Sequence, residues 1–90
     1  MGKRILKFTG RYKRDFKKLS GDHKDLGDLK EIIVKLQNDE PLEDKYLNHK
    51  LKGDKQGYWD CHPNCKDIVL IYAKKGNSLY LVRLIPEDRK

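Results

Sequence analysis

The sequence has few cysteines and no long apolar run, and each absence excludes a class of protein. Its 90 residues include only two cysteines, Cys61 and Cys65, which are too few for a disulfide framework and would stay reduced in the cytosol. No run of about 18 apolar residues is present, so no transmembrane helix is expected. The N-terminal residues lack the apolar stretch of about 7–15 residues that a secretory signal contains, and we expect a cytoplasmic location. Walker-type phosphate loops and nucleophile-elbow motifs are also missing.

Basic residues outnumber acidic ones, and they are unevenly distributed. The formal net charge is +7 at pH 7. Residues 1–20 carry eight Lys and Arg against Asp15 alone, whereas residues 21–48 carry eight Asp and Glu against four Lys. Residues 49–90 are basic again, with nine Lys and Arg against five Asp and Glu. A polyanion is the natural partner for the basic parts. The alternative is that the Lys-rich helices are simply solvated.

The N-terminal half has the pattern of one short strand and a helical hairpin. Ile5–Phe8 is short and β-prone, which predicts a first strand. A helix capped by Thr9 or Gly10 is predicted to run to about Leu19. Its apolar positions share one face at helical spacing: Tyr12, Phe16 and Leu19. A second amphipathic helix is predicted from about His23 to Asn38.

The C-terminal half has the pattern of three consecutive strands. These are predicted at Gly57–His62, Asp67–Ala73 and Ser78–Leu84, with a turn at Lys74–Asn77 between the last two. Short loops between consecutive strands imply an antiparallel meander. The whole chain, residues 1–90, is therefore predicted to be a single α+β domain. It is a two-layer sandwich in which the helical hairpin covers one face of the sheet and leaves the opposite face open.

Titratable side chains cluster after residue 48, where they suit chemistry on RNA. The set comprises His49, Lys50, Lys52, Asp60, His62, Asp67 and Arg83. His62 and Asp67 bracket one loop and can meet across it. Such groups suit metal-free phosphodiester cleavage, in which one group takes the proton of a ribose 2′-OH and another protonates the leaving oxygen. Arg83 would steady the negative phosphorane.

Each of these residues also has a plainer explanation. A histidine or aspartate at a strand end is usually a solvated loop residue, and Arg83 can be a salt-bridge partner. Trp59 is more often core or cover than a stacking platform for bases. Cys61, His62 and Cys65 are potential zinc ligands with His49 as a fourth, but a structural zinc site usually has two well-spaced ligand pairs. We therefore expect no metal and no cofactor.

Several short motifs, in order along nearly the whole chain, resemble those of a known family. The opening Phe8-Thr9-x-x-Tyr12-x-x-Asp15-Phe16-Lys17 is the first of them. The others are Tyr46–Gly53, Tyr58-Trp59-Asp60-Cys61-His62, Asp67–Tyr72 and Leu81-Val82-Arg83-Leu84. In this order they resemble the RelE-like toxins of bacterial toxin–antitoxin systems, specifically the YafQ-type branch.

The resemblance implies a RelE-like fold and a ribosome-dependent endoribonuclease, or mRNA interferase, that cuts mRNA and inhibits translation. It implies neutralisation by a cognate antitoxin and repression of promoter DNA only through the toxin–antitoxin complex, with no membrane partner. Functional positions of the family carry over to His49, His62, Asp67 and Arg83. The expected RNA-contacting residues are Lys50, Lys52, Trp59 and Lys66. An acidic antitoxin is expected to wrap the basic helices.

The chain departs from the family pattern in three places. The loop between His62 and Asp67 is one residue longer, and Trp59 stands where an Arg is common. The terminal catalytic histidine is replaced, most nearly by Glu87, which we include as a candidate general base. Two other functions therefore remain open: a non-catalytic or weakened RNA- or ribosome-binding relative, and a ribonuclease that is independent of the ribosome.

Overall fold

A computed structural model describes residues 3–22, 25–51, 57–64 and 67–86. Two helices and five strands make up this part of the chain. The elements are β1 (Ile5–Phe8), α1 (Gly10–Gly21), α2 (Leu29–Gln37), a 3₁₀ turn (Asp44–Tyr46), β2 (His49–Lys50), β3 (Tyr58–Cys61), β4 (Ile68–Lys75) and β5 (Ser78–Pro86). The sheet order is β1-β5-β4-β3-β2, with β1 parallel to β5 and all other pairs antiparallel. The α+β class and the three-strand meander are confirmed.

Helix α1 begins where the sequence predicts, because Thr9 caps it. The backbone N–H of Tyr12 donates to Thr9 Oγ1 at 3.0 Å, and the same hydroxyl donates to the carbonyl of Val82 at 2.7 Å. One side chain thus caps the helix and ties it to β5. Tyr12 and Leu19 are buried as predicted, whereas Phe16 on the same face remains 40% exposed.

The predicted start of the second helix was wrong. The helix begins at Leu29, and residues 25–28 precede it without helical structure; His23 lies outside the described residues. Gly27 adopts φ +58°, and a Cβ built there would lie 2.4 Å from the carbonyl oxygen of Pro63. Only glycine fits such a left-handed, closely packed position. The apolar spacing that predicted the helix is met from Leu29 onward, and Leu26 still packs against the core.

The strand β2 was not predicted, and two other strands are longer than predicted. His49–Lys50 pairs antiparallel with β3, although we expected a connecting segment there. Two residues are too few to show the alternation of apolar and polar side chains that predicts a strand. Only the pairing with β3 makes this segment a strand. Strand β4 continues to Lys75 and β5 to Pro86, which leaves only Gly76 and Asn77 for the turn.

The two faces of the sheet are covered differently. One face packs against α1 and α2 in the main core, through residues such as Leu70, Tyr72 and Leu84. The face away from the helices, called the distal face below, holds a second small cluster of Val69, Ile71 and Ile85. The distal face was expected to be open, but these three side chains are buried. That expectation was therefore wrong for the centre of the face.

Candidate functional site

Three candidate residues lie in one row across the distal face. His49 of β2 pairs with Asp60 of β3, Asp60 with Ile71 of β4, and Ile71 with Arg83 of β5. A register shift between Ile71 and Tyr72 makes Val82 the extra residue, which brings Arg83 opposite Ile71. Directly paired residues point to the same face of a sheet. Strands lie about 4.8 Å apart, so the backbones at the two ends of the row are roughly 14 Å apart.

The first end of the row is a histidine on a buried carboxylate. His49 Nε2 lies 3.0 Å from Asp60 Oδ1; the His49 side chain is 51% exposed and that of Asp60 is fully buried. The other ring nitrogen, Nδ1, lies 2.9 Å from the carbonyl oxygen of Leu47. Both ring nitrogens of His49 therefore face oxygen atoms of the protein. The ring is thus held through both nitrogens, while about half of the side chain is exposed to solvent.

Asp60 belongs to the candidate cluster, but sequence reasoning gave it no individual role. It alternates along β3 with Trp59 and Cys61, both of which pack on the helix side. Burying a carboxylate is costly unless it is paired, and the contact with His49 supplies a pair. Burial, and then the neighbouring Asp60, raise the pKa of the Cys61 thiol to about 12. The signal in the sequence was an acidic residue at an interior strand position.

His62 and Asp67 lie on either side of the loop that follows β3. His62 is buried, and its backbone N–H donates to the carbonyl of Tyr46 at 2.7 Å. Asp67 is exposed and accepts a hydrogen bond from Asn64 Nδ2 at 2.8 Å. Asn64 Oδ1 in turn accepts from the backbone N–H of Ile68 at 3.3 Å. Asn64 thus fixes Asp67 at the start of β4, and a direct pairing of His62 with Asp67 stays a prediction.

The second end of the row is an arginine held by a carboxylate of α1. Arg83 Nε donates to Asp15 Oδ2 at 2.8 Å, and Nη2 donates to Asp15 Oδ1 at 3.1 Å. These bonds raise the pKa of Arg83. The backbone N–H of Leu84 also donates to Asp15 Oδ2 at 3.1 Å. Arg83 is therefore the salt-bridge partner that the plainer interpretation described, and its guanidinium is turned towards α1.

The predicted RNA-contacting residues are not all brought together. Trp59 packs against the helix-side core, and Lys50, its partner in the register, places Nζ 5.9 Å from the centre of the indole ring. Both side chains therefore lie on the face opposite His49 and Asp60, where their contact with RNA stays a prediction. Lys52, Lys66 and Glu87 lie outside the described residues. Within the described ranges, no group of three His, Cys, Asp or Glu side chains is placed to hold a metal ion.

Comparison with known proteins gives consistent matches. A family model described as "Bacterial toxin of type II toxin-antitoxin system, YafQ" matches residues 4–86. The protein named mRNA interferase toxin YafQ from Escherichia coli K12 is 37% identical over 84 residues, covering 92% of this chain and 90% of that protein.

Solved structures match as well. A copper-bound mutant toxin from Helicobacter pylori has a TM-score of 0.90 at 31% identity, covering 96% of this chain and 97% of that one. The toxin chain of the E. coli DinJ–YafQ toxin–antitoxin complex has a TM-score of 0.84 at 32% identity, covering 97% and 96%.

Proposed function

The chain belongs to the YafQ family of bacterial toxins of type II toxin–antitoxin systems, and we propose that it is an mRNA interferase that cuts mRNA on the ribosome. An mRNA interferase is an endoribonuclease, and it is the activity in the name of the E. coli relative. In the part of the chain that is described, no helix is long and apolar enough to cross a membrane. The proposed site of action is the ribosome in the cytoplasm.

The reaction is attack by a ribose 2′-OH on the adjacent phosphodiester. A base removes the proton of the 2′-OH, the 2′-oxygen bonds to phosphorus, and the bond from phosphorus to the 5′-oxygen breaks as that oxygen gains a proton. The products are a 2′,3′-cyclic phosphate and a 5′-OH end. No metal is needed, because one side chain removes the proton of the 2′-OH and another supplies the proton that the 5′-oxygen gains.

His49 is the proton donor in this proposal, and the observation that carries it is the His49–Asp60 contact. Asp60 holds the imidazole ring of His49 in place, with His49 Nε2 lying 3.0 Å from Asp60 Oδ1. About half of the His49 side chain is exposed to solvent. His62 lies two residues beyond Asp60 along the chain and is the first candidate for the base, with Asp67 and Glu87 as the others. Arg83 supplies positive charge to the phosphorane.

The proposed protein partner is a cognate antitoxin, as in the DinJ–YafQ complexes. A groove of about 480 Å³ between α1 and α2 exposes the rings of Phe8 and Phe16, with Lys13 and Lys30 among its lining residues. This surface suits the apolar side of an amphipathic helix with acidic flanks. An acidic antitoxin that also wraps the basic helices should bind more weakly when Arg11, Arg14 and Lys18 are neutralised, and unchanged affinity would contradict that wrapping. Promoter DNA is bound only through the complex.

A second candidate function is a weakened or non-catalytic ribosome-binding relative. The favouring observation is that Arg83 is engaged by Asp15 at 2.8 and 3.1 Å. The replacement of the terminal histidine by Glu87 points the same way. Such a protein keeps the basic surface and loses cleavage.

Primer extension on a translated mRNA, with and without ribosomes, separates these functions. Wild type is compared with His49→Ala, His62→Ala and Arg83→Ala, and Lys75→Ala in the distant β4–β5 hairpin is the control. Codon-phased cuts that need ribosomes, that persist in the control and that disappear in the three variants support the enzyme. Ribosome binding without cuts identifies the binding relative, and cuts without ribosomes identify a free ribonuclease.

A further inference from the structure

We propose that Arg11, Arg14 and Arg83 form a cleft that binds a phosphate of the RNA backbone, with Asp15 setting the orientation of Arg83. These four residues line a cleft of about 430 Å³ between α1 and β5. The inference rests on the proposed function in one respect, which is that the polyanion is RNA. It adds a contact site on α1, away from the His49–Asp60 end of the distal face.

The geometry of the cleft follows from helical spacing and from the sheet register. Arg11 and Arg14 are three residues apart on α1, so their side chains are neighbours on the helix surface, and both residues are exposed. Arg83 reaches the same place from β5 because Asp15, one residue after Arg14, holds its guanidinium. Residues far apart in the sequence thus form one lining.

Donor counting shows what Arg83 still offers to a ligand. A guanidinium has five N–H donors in a rigid fork. The two bonds to Asp15 use one donor on Nε and one on Nη2, so three remain for another acceptor. A fixed fork with donors to spare matches the oxygens of a phosphate.

The charge of the cleft favours an anion. Three guanidinium groups line it against the single carboxylate of Asp15. The first turn of α1 contains no acidic residue, so no side-chain charge there offsets the positive end of the helix dipole. At interfaces with nucleic acids, phosphate oxygens are frequent acceptors for arginine side chains.

The position of the cleft gives RNA a path rather than a single contact. His49 and Arg83 are the two ends of the row, and their backbones are roughly 14 Å apart across the sheet. Arg83 belongs to both parts of this path, because it supplies positive charge to the phosphorane in the proposed reaction and also lines the cleft. RNA that is cut beside His49 therefore continues into the cleft, where Arg11 and Arg14 meet its backbone.

The test uses an RNA oligonucleotide that is fully 2′-O-methylated, whose phosphates are intact but which has no 2′-OH to attack. Binding is measured by fluorescence anisotropy between about 50 and about 200 mM salt. Arg11→Gln/Arg14→Gln is compared with Lys13→Gln/Lys17→Gln, a control with the same loss of charge on the same helix. Each lost phosphate contact lowers the slope of log affinity against log salt by about 0.7.

The Arg variant should therefore show a slope smaller by about 0.7 and bind up to about 5-fold more weakly near 0.1 M salt, with the slope of the Lys variant unchanged. Equal losses in both variants would overturn the cleft, since bulk charge would explain them. Absence of wild-type binding would also overturn it. An unchanged RNA slope together with weaker antitoxin binding would assign the cleft to the antitoxin instead. Ribosome-dependent cleavage is measured separately, so failure of the enzyme and failure of the cleft are distinguishable.

Discussion

Replacing Asp15 tests how strongly its hydrogen bonds to Arg83 and Leu84 stabilise the packing of α1 against β5. Strand β1 pairs with β5 only as far as Leu81, so among the described residues no strand covers that side of the rest of β5. Thr9 and Asp15 take over there, since Thr9 binds the carbonyl of Val82 and Asp15 binds the N–H of Leu84. Asp15→Ala removes the latter bond and the ion pair with Arg83. Asp15→Asn keeps one oxygen for the N–H of Leu84, but it loses the charge and one of the two oxygens that accept from Arg83.

The expected loss of stability can be worked from these contacts. A hydrogen bond to a charged group contributes about 1.5–3 kcal/mol, and a partly exposed ion pair contributes about 0.2–1 kcal/mol. We expect Asp15→Ala to lower the free energy of unfolding by about 2–3 kcal/mol and Asp15→Asn by about 1 kcal/mol. In a domain of this size each kcal/mol lowers Tm by about 4–8 °C.

The assay is urea unfolding followed by circular dichroism, with Asp39→Asn as the matched control. Asp39 also holds an arginine Nε at 2.8 Å, that of Arg4, but its side chain is 53% exposed. Asn suits its positive φ of 57°, and we expect a smaller loss of stability than for Asp15→Ala, because solvent screens this exposed ion pair. If Asp15→Ala costs no more than Asp39→Asn, the proposed role of Asp15 at the strand edge is refuted.

Three further outcomes follow from buried groups. Burial and Asp60 raise the pKa of Cys61 to about 12, so iodoacetamide at pH 8 should label Cys61 only after unfolding; rapid native labelling, read by peptide mass spectrometry, would contradict this. Burial also raises the pKa of Tyr12 to about 12, above the unfolded value of about 10. Its contribution to stability is therefore complete below about pH 10 and is lost towards pH 12, so Tyr12→Phe should flatten the alkaline decline in urea midpoint, and an equal decline would contradict it. Tyr72→Phe removes a hydroxyl that donates to Asn48 at 2.5 Å and should cost about 1 kcal/mol in urea unfolding; no loss would mean that water replaces the bond freely.

Local patterns were enough to predict most of the fold. The cap at Thr9 and the helical spacing of apolar residues lie within a few positions of one another, and so does the β-branched run of β4. The start of α2 was missed because Gly27 takes its conformation from contact with Pro63, which is distant in the sequence. Strand β2 was missed because only two residues pair, and only β3 makes them a strand.

The candidate site could be predicted as a set of residues but not as a set of contacts. His49 and Arg83 were recognised by type and by family resemblance. Their partners, Asp60 and Asp15, depend on a short edge strand in one case and on a contact 68 positions apart in the other. Alternation along β3 predicts that Trp59 and Asp60 lie on opposite faces of the sheet. It does not predict which of the two faces the helices cover.

The most direct test of the proposed function is cleavage of a ribosome-bound mRNA that carries one 2′-deoxy nucleotide on the 5′ side of the mapped cut. The proposed reaction has that hydroxyl as its nucleophile, so we expect the cut to disappear at that position while other cuts on the same message persist. A cut that proceeds at the deoxy position would contradict 2′-OH attack and the roles assigned to His49 and Asp60.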